Sequence, residues 1–168
     1  MKFKNLHAAA FTLVELLIVI TLLAIMSAGI LVNFNAGQDK AKFKDHQTNI
    51  INMFQQARAY AMSNRTINDV EVEYYYVEIN ELAIYIYGKD VNGLLTEIKD
   101  FQFEGTIYPD NEFFVYYFPP NAKACFNADC TSGVATKTFT LHSTNTDYTQ
   151  TISIDRLSGF PELTGGEI

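Results

Sequence analysis

Glu15 is the only charged side chain between Phe11 and Phe34, in the run FTLVELLIVITLLAIMSAGILVNF. Placing a carboxylate well inside a bilayer costs about 2.5–3.5 kcal/mol on insertion scales, so such a group ordinarily has a partner. Helical spacing would put a cation at position 11, 12, 18 or 19, and these hold Phe, Thr, Ile and Val. The partner must come from elsewhere. A chain cut before Phe11 would present a new α-amino group at the membrane, able to pair with Glu15 of a neighbouring copy. Glu15 would then act as a ruler for subunit register.

The other residues capable of chemistry assemble into less. Asp90, Asn92, Gly93 and Glu97 suggest a calcium loop, but EF-hand spacing is absent, and a Gly-ended hairpin turn explains the same residues. The three histidines are His7, His46 and His142. Ser143 adjoins His142, but neighbouring strand residues point to opposite faces and do not make a nucleophile and base pair. No Gly-rich phosphate loop, H-E-x-x-H or G-x-S-x-G occurs. The sequence calls for no enzyme activity, no catalytic residue, no metal and no cofactor. With 12 basic against 19 acidic side chains, the charge of -7 argues against nucleic acid as a partner, since phosphate neutralisation needs clustered Lys and Arg.

The elements that position these residues change character along the chain. Leu16–Val32 is 17 residues with nothing more polar than Thr21 and Ser27, at the lower edge of a bilayer span, and extension to Phe11 makes spanning comfortable. A secretory signal would be cut near Ala28, where Met26 fits poorly, and the Ala8–Ala10 triplet precedes the apolar run instead of following it. From Asp39 to Asn64, Phe43, Ile50, Ile51, Phe54, Ala57, Ala61 and Met62 recur at three- and four-residue steps, which predicts an amphipathic helix. Asn33, Asn35 and Gly37 interrupt good helix formers and could bend or locally melt the join. If the helix is continuous from Phe11 it is a rod of about 80 Å.

Beyond Asn64 the period becomes two. Val70, Val72, Tyr74 and Tyr76 alternate with Glu71, Glu73 and Tyr75, and LAIYIY (82–87) follows a turn at Asn80–Glu81, predicting a hairpin. Further strands are expected at 94–100, 101–108, 113–118, 136–143 and 148–154, with GKDVNG, YPDNE, FPPNAK and STNTD as turns. The fold class expected is α+β: a long N-terminal helix, transmembrane in its first half and amphipathic in its second, packed on a C-terminal antiparallel β-sheet head. The tyrosines, Tyr74–Tyr76, Tyr85, Tyr87, Tyr108, Tyr116, Tyr117 and Tyr148, suit strand packing, with some left outward for subunit or carbohydrate contacts.

Ala10-Phe11-Thr12-Leu13-Val14-Glu15 followed by LLIVITLLAI resembles the class III signal of type IV prepilins and type II secretion pseudopilins. The resemblance implies a leader at 1–10, cleavage between Ala10 and Phe11 by prepilin peptidase, and N-methylation of Phe11. Ala10 stands where the family usually has Gly. It implies a transmembrane and filament-core helix over 11–34, an amphipathic helix over 35–64, a head over 65–168, and Glu15 as the register residue. Its partners would be other pilin or pseudopilin subunits, the peptidase, the inner membrane and its assembly machinery.

Charge alone does not orient the span, because Lys2 and Lys4 before it oppose Lys40, Lys42 and Lys44 after it. The leader and the cysteines place the head outside the cytoplasm. There, Cys125 and Cys130, framing FNAD, are expected to form a disulfide. QARAYAMSNR (56–65) is similar to the end of the long helix in GspH/FimT-type minor subunits. The stretch corresponding to the basic C-terminal region of DNA-binding members reads SIDRLSGFPEL, with Arg156 alone. The sequence thus reads as a minor pilin or pseudopilin. The alternatives are a major pilin and a membrane-tethered binding domain that never polymerises.

Overall fold

A computed structural model of the chain describes residues 12–167, with residues 28–36 and 167 as backbone only. It divides into two compact units, residues 1–38 and 39–168. The elements are α1 (Leu13–Met62), β1 (Val72–Ile79), β2 (Ala83–Asp90), β3 (Leu95–Gln102), β4 (Ile107–Pro109), β5 (Phe113–Phe118), β6 (Lys123–Cys125), β7 (Thr136–Ser143), β8 (Thr149–Asp155) and β9 (Pro161–Glu167). The class is α+β, with α1 on antiparallel sheet, but there are two sheets where one was expected. Five strands run β3-β2-β1-β5-β6 and four run β4-β7-β8-β9.

Asn33, Asn35 and Gly37 are helical, so of the alternatives open at the join α1 takes the continuous one. Its end is set by Asn64, which adopts φ 50. Arg65 N–H then reaches the Tyr60 carbonyl and Asn64 N–H the Ala61 carbonyl, a Schellman arrangement that satisfies the last carbonyls. Among the described residues no helix is long and apolar enough to cross a membrane. Side chains there are described for 12–27, while the apolar run of the sequence continues to Val32.

In the second unit, α1 buries Phe43, His46, Gln47, Ile50, Met53, Phe54, Ala57 and Ala61. The stripe differs from expectation by about one helix position at its edge. Ile51 is half-buried and Met62 exposed, and Met53 takes the core place, because 50, 53, 54, 57 and 61 share one face while 51 and 62 fall at its rim. Phe54 lies edge-on to Phe113 of β5 at 6.1 Å and 6.3 Å from Phe139 of β7, and those two rings are 4.8 Å apart. The three rings join helix and both sheets.

The hairpin of β1 and β2 forms, turned by Asn80, whose Oδ1 accepts from the N–H groups of Leu82 and Ala83. The face assignment does not follow the simple alternation. The register slips between Val72 and Tyr74, so Val72 points inward with Tyr75, Val77 and Ile79, while Tyr74 and Tyr76 point outward. A bulge moves every later side chain to the other face. FQFEGTIY is split: 101–102 end β3, and 107–109 form β4 in the second sheet. Two strands were not foreseen. β6 begins on Lys123, the last residue of the FPPNAK stretch read as a turn, and β9 begins on Pro161 and carries Gly165 and Gly166, with no alternation to announce it.

Candidate assembly segment and head surface

Ala10 and Phe11, the expected cleavage and methylation sites, and the leader lie outside the described residues. Glu15 does not. Its carboxylate accepts from Thr12 N–H at 3.0 Å and Thr12 Oγ1–H at 3.0 Å, and Thr12 Oγ1 accepts from Glu15 N–H at 3.2 Å. This is a capping box, with Thr12 as N-cap and Glu15 at the third helical position. It partners the carboxylate locally, which the expectation of a wholly external partner had missed. The signal was present as Thr-x-x-Glu before an apolar run.

The next turns follow the same logic. Thr21 Oγ1 donates to the Ile18 carbonyl at 2.8 Å and Ser27 Oγ to that of Leu23 at 2.7 Å, so each hydroxyl is satisfied on its own helix. What remains outward is apolar: Leu13, Val14, Leu16 to Ile20, Leu22, Leu23, Ile25 and Met26 are all exposed. A surface of this kind needs a cover of lipid or of other helices.

In the head, His46 Nε2 accepts from Glu104 N–H at 3.0 Å, and Nδ1 donates to the Lys42 carbonyl at 2.9 Å. Its ring meets Phe101 edge-on at 5.1 Å. It therefore fixes α1 to the segment after β3. His142 stacks on Tyr108 at 5.6 Å and forms no hydrogen-bonded pair with Ser143 among the described residues. Asp90 is buried, and its Oδ1 accepts from Asn92 N–H at 2.9 Å and Leu94 N–H at 2.8 Å, with Gly93 at φ 88. Of the residues that suggested calcium, Asp90, Asn92 and Gly93 build a hairpin turn and Glu97 lies in β3, paired with Tyr87. Among the described residues no group of three His, Cys, Asp or Glu side chains could hold a metal ion.

Cys125 and Cys130 are bonded. The Arg156 guanidinium donates to the Cys130 carbonyl at 3.3 Å, tying the bridged loop to the turn after β8. Replacing both cysteines by serine is expected to lower the stability of the head by about 2 kcal/mol, the loop-entropy value for so short a ring. Denaturant unfolding of the full-length chain in detergent, with and without reductant, measures it. Reductant should leave the double variant unchanged.

The outer face of the five-stranded sheet is aromatic. Tyr76 stacks on Tyr87 at 5.0 Å and on Tyr116 at 5.4 Å, Tyr85 stacks on Tyr87, and Tyr74 meets Tyr116 and Phe118. Burial, chiefly, raises the pKa of Tyr76, Tyr87 and Tyr116 here, and of Tyr75 and Tyr117 on the inner face. Tyr75 OH donates to the Arg65 carbonyl and Tyr117 OH to that of Gly159. A tyrosine whose folded pKa lies above the unfolded value near 10 stabilises the fold fully below that value and ceases to as pH rises through the folded one. Titration of tyrosinate absorbance should therefore show these five tyrosines ionising late, the fully buried Tyr75 and Tyr117 together with loss of fold. Ionisation of these five at ordinary values, with the fold retained, would contradict these environments.

Residues 6–31 match the family model described as the prokaryotic N-terminal methylation motif. The chain thus carries the class III signal peptide motif of type IV prepilin-like proteins, a motif that points to a structural protein rather than an enzyme. It supports a processed, pilin-like surface subunit that is handled by prepilin peptidase and assembles with other such subunits. No curated protein and no solved structure matches the chain.

Proposed function

We propose that the chain is a minor pilin or pseudopilin of a type IV filament system, non-enzymatic, cut between Ala10 and Phe11 and methylated on Phe11. Residues 11–34 cross the inner membrane once, with the head outside the cytoplasm. On assembly they leave the lipid to pack among other subunits' helices. Glu15 sets register by pairing with the N-terminal amine of a neighbour.

The observation that carries this reading is the methylation motif over 6–31 running directly into a helix with exposed apolar sides and self-satisfied hydroxyls. The capping box lends one support to the non-polymerising anchor, because it gives Glu15 a use in any helix that starts at Leu13. Intact mass and N-terminal sequencing of the protein from membranes, with and without prepilin peptidase, test the proposal. A chain beginning at methylated Phe11 only when the peptidase is present is the expected result. A chain beginning near Gly29 or at Met1 overturns it.

A further inference from the structure

Of the charges in the head without a partner among the described residues, two sets lie on opposite sides of the five-stranded sheet. Glu78, flanked across β1 by Tyr85 and Phe114, and Glu112, just before β5, make no hydrogen bond or ion pair there. Glu78 shares its face with Tyr74, Tyr76, Tyr87 and Tyr116, where Lys89 already sits 5.2 Å over the Tyr74 ring while paired with Glu73 at 2.9 Å. That lysine shows how the face holds a cation: ring below, carboxylate beside. Burial and then the Glu112 carboxylate raise the Glu78 pKa, as befits an anion with no cation near it.

Most cations of the head are already engaged. Lys42 pairs with Glu104, Lys99 with Gln56, and Arg156 with the Cys130 carbonyl, while Arg58, Arg65 and Lys137 lie over rings. Lys40 and Lys44, exposed and one helical turn apart on α1, have no such partner, and neither does Lys123. Helix α1 packs on the inner face, through Phe54 on Phe113 and Tyr60 on Tyr75, whose strand neighbours Phe114 and Tyr76 point outward. At the other end of this part of α1, His46 meets Phe101 of β3, a residue packed on the core, so Lys40 and Lys44 lie on the α1 side of the sheet and Glu78 on the other.

We propose a heterologous self-contact in which Lys40 and Lys44 on α1 of one copy dock on Glu78 and Glu112 within the tyrosine face of the next. Complementary patches on opposite sides of one subunit make a head-to-tail contact, which propagates as an open filament when its rotation does not close a ring. The contact rests on the filament reading for its purpose, but not for its detection.

The test uses two differently tagged full-length copies in isolated membranes, treated with a carbodiimide that joins carboxylates to amines in direct contact, followed by peptide mapping. The expected product is a mixed-tag dimer linked from Lys40 or Lys44 to Glu78 or Glu112. Glu78→Lys with Glu112→Lys in both copies should cut this product by roughly tenfold or more, and adding Lys40→Glu with Lys44→Glu to both should restore it in reversed sense. Absence of the wild-type link, or links from these residues to a different protein, overturns the contact. Processing at Phe11 is scored in the same membranes. A mature chain without the link defeats the contact alone, and an uncut chain with it defeats the filament reading alone.

Discussion

Phe54→Ala is expected to destabilise the head by about 4 kcal/mol, within the usual range for removing a buried phenylalanine. Phe54 is fully buried, and its ring is the helix's contact with Phe113 in one sheet and Phe139 in the other. Removing it leaves a cavity where three layers meet, and neither sheet can close the gap without parting from the other. A loss of this size is a large share of the 5–15 kcal/mol typical of a domain. Denaturant unfolding of the full-length chain in detergent measures it. Phe160→Ala serves as control: that ring is exposed, with the Arg58 guanidinium 4.0 Å above it, and its removal should cost under about 1 kcal/mol. Equal effects from the two substitutions would mean that the Phe54 cluster does not hold the layers together.

What the sequence disclosed follows from how strongly each feature is patterned. A stripe at three- and four-residue steps has few solutions, so the second half of α1 was legible to within a residue at its edge. The hairpin at Asn80 was legible because Asn there can cap its own turn. The face of β1 was not, because one extra residue between Val72 and Tyr74 reverses the alternation and leaves no mark in composition. β9 was hidden for a different reason. An edge strand tolerates Pro161 at its start and glycine within, and these are the residues that ordinarily argue against a strand. Gly166 is required there: at φ 135, a β-carbon would stand 2.5 Å from the Thr149 carbonyl oxygen. The division into two sheets follows from pairing between distant segments, such as β4 with β7, which local periodicity does not encode.

The assembly segment was half legible. The lone carboxylate in an apolar run was plain, but the search for its partner considered only cations. Thr12 supplies two hydrogen bonds to it without any charge. Glu15 therefore has two separable roles, cap and anion, and each could be the reason for its presence.

Three substitutions divide those roles. Glu15→Ala removes both, Thr12→Ala removes the cap and keeps the charge, and Glu15→Gln keeps the capping box and removes the charge, since glutamine serves at that position as well as glutamate does. All three should insert normally, because none adds a charge to the apolar run and the two Glu15 changes remove one. If pairing with a neighbour's amine sets register, Glu15→Gln should fail to enter filaments as completely as Glu15→Ala. Thr12→Ala should enter at close to normal levels, with a loss of about 1 kcal/mol in helix stability at the N-terminus. The measurement is the amount of each variant in sheared filament fractions against the amount in membranes, with N-terminal sequencing to confirm equal processing. Normal entry of Glu15→Gln together with failure of Thr12→Ala would assign Glu15 to the cap and remove it from register. The charge would then have to be explained by the membrane-inserted subunit alone, where a carboxylate hydrogen-bonded to Thr12 at a helix N-terminus already has favourable electrostatics.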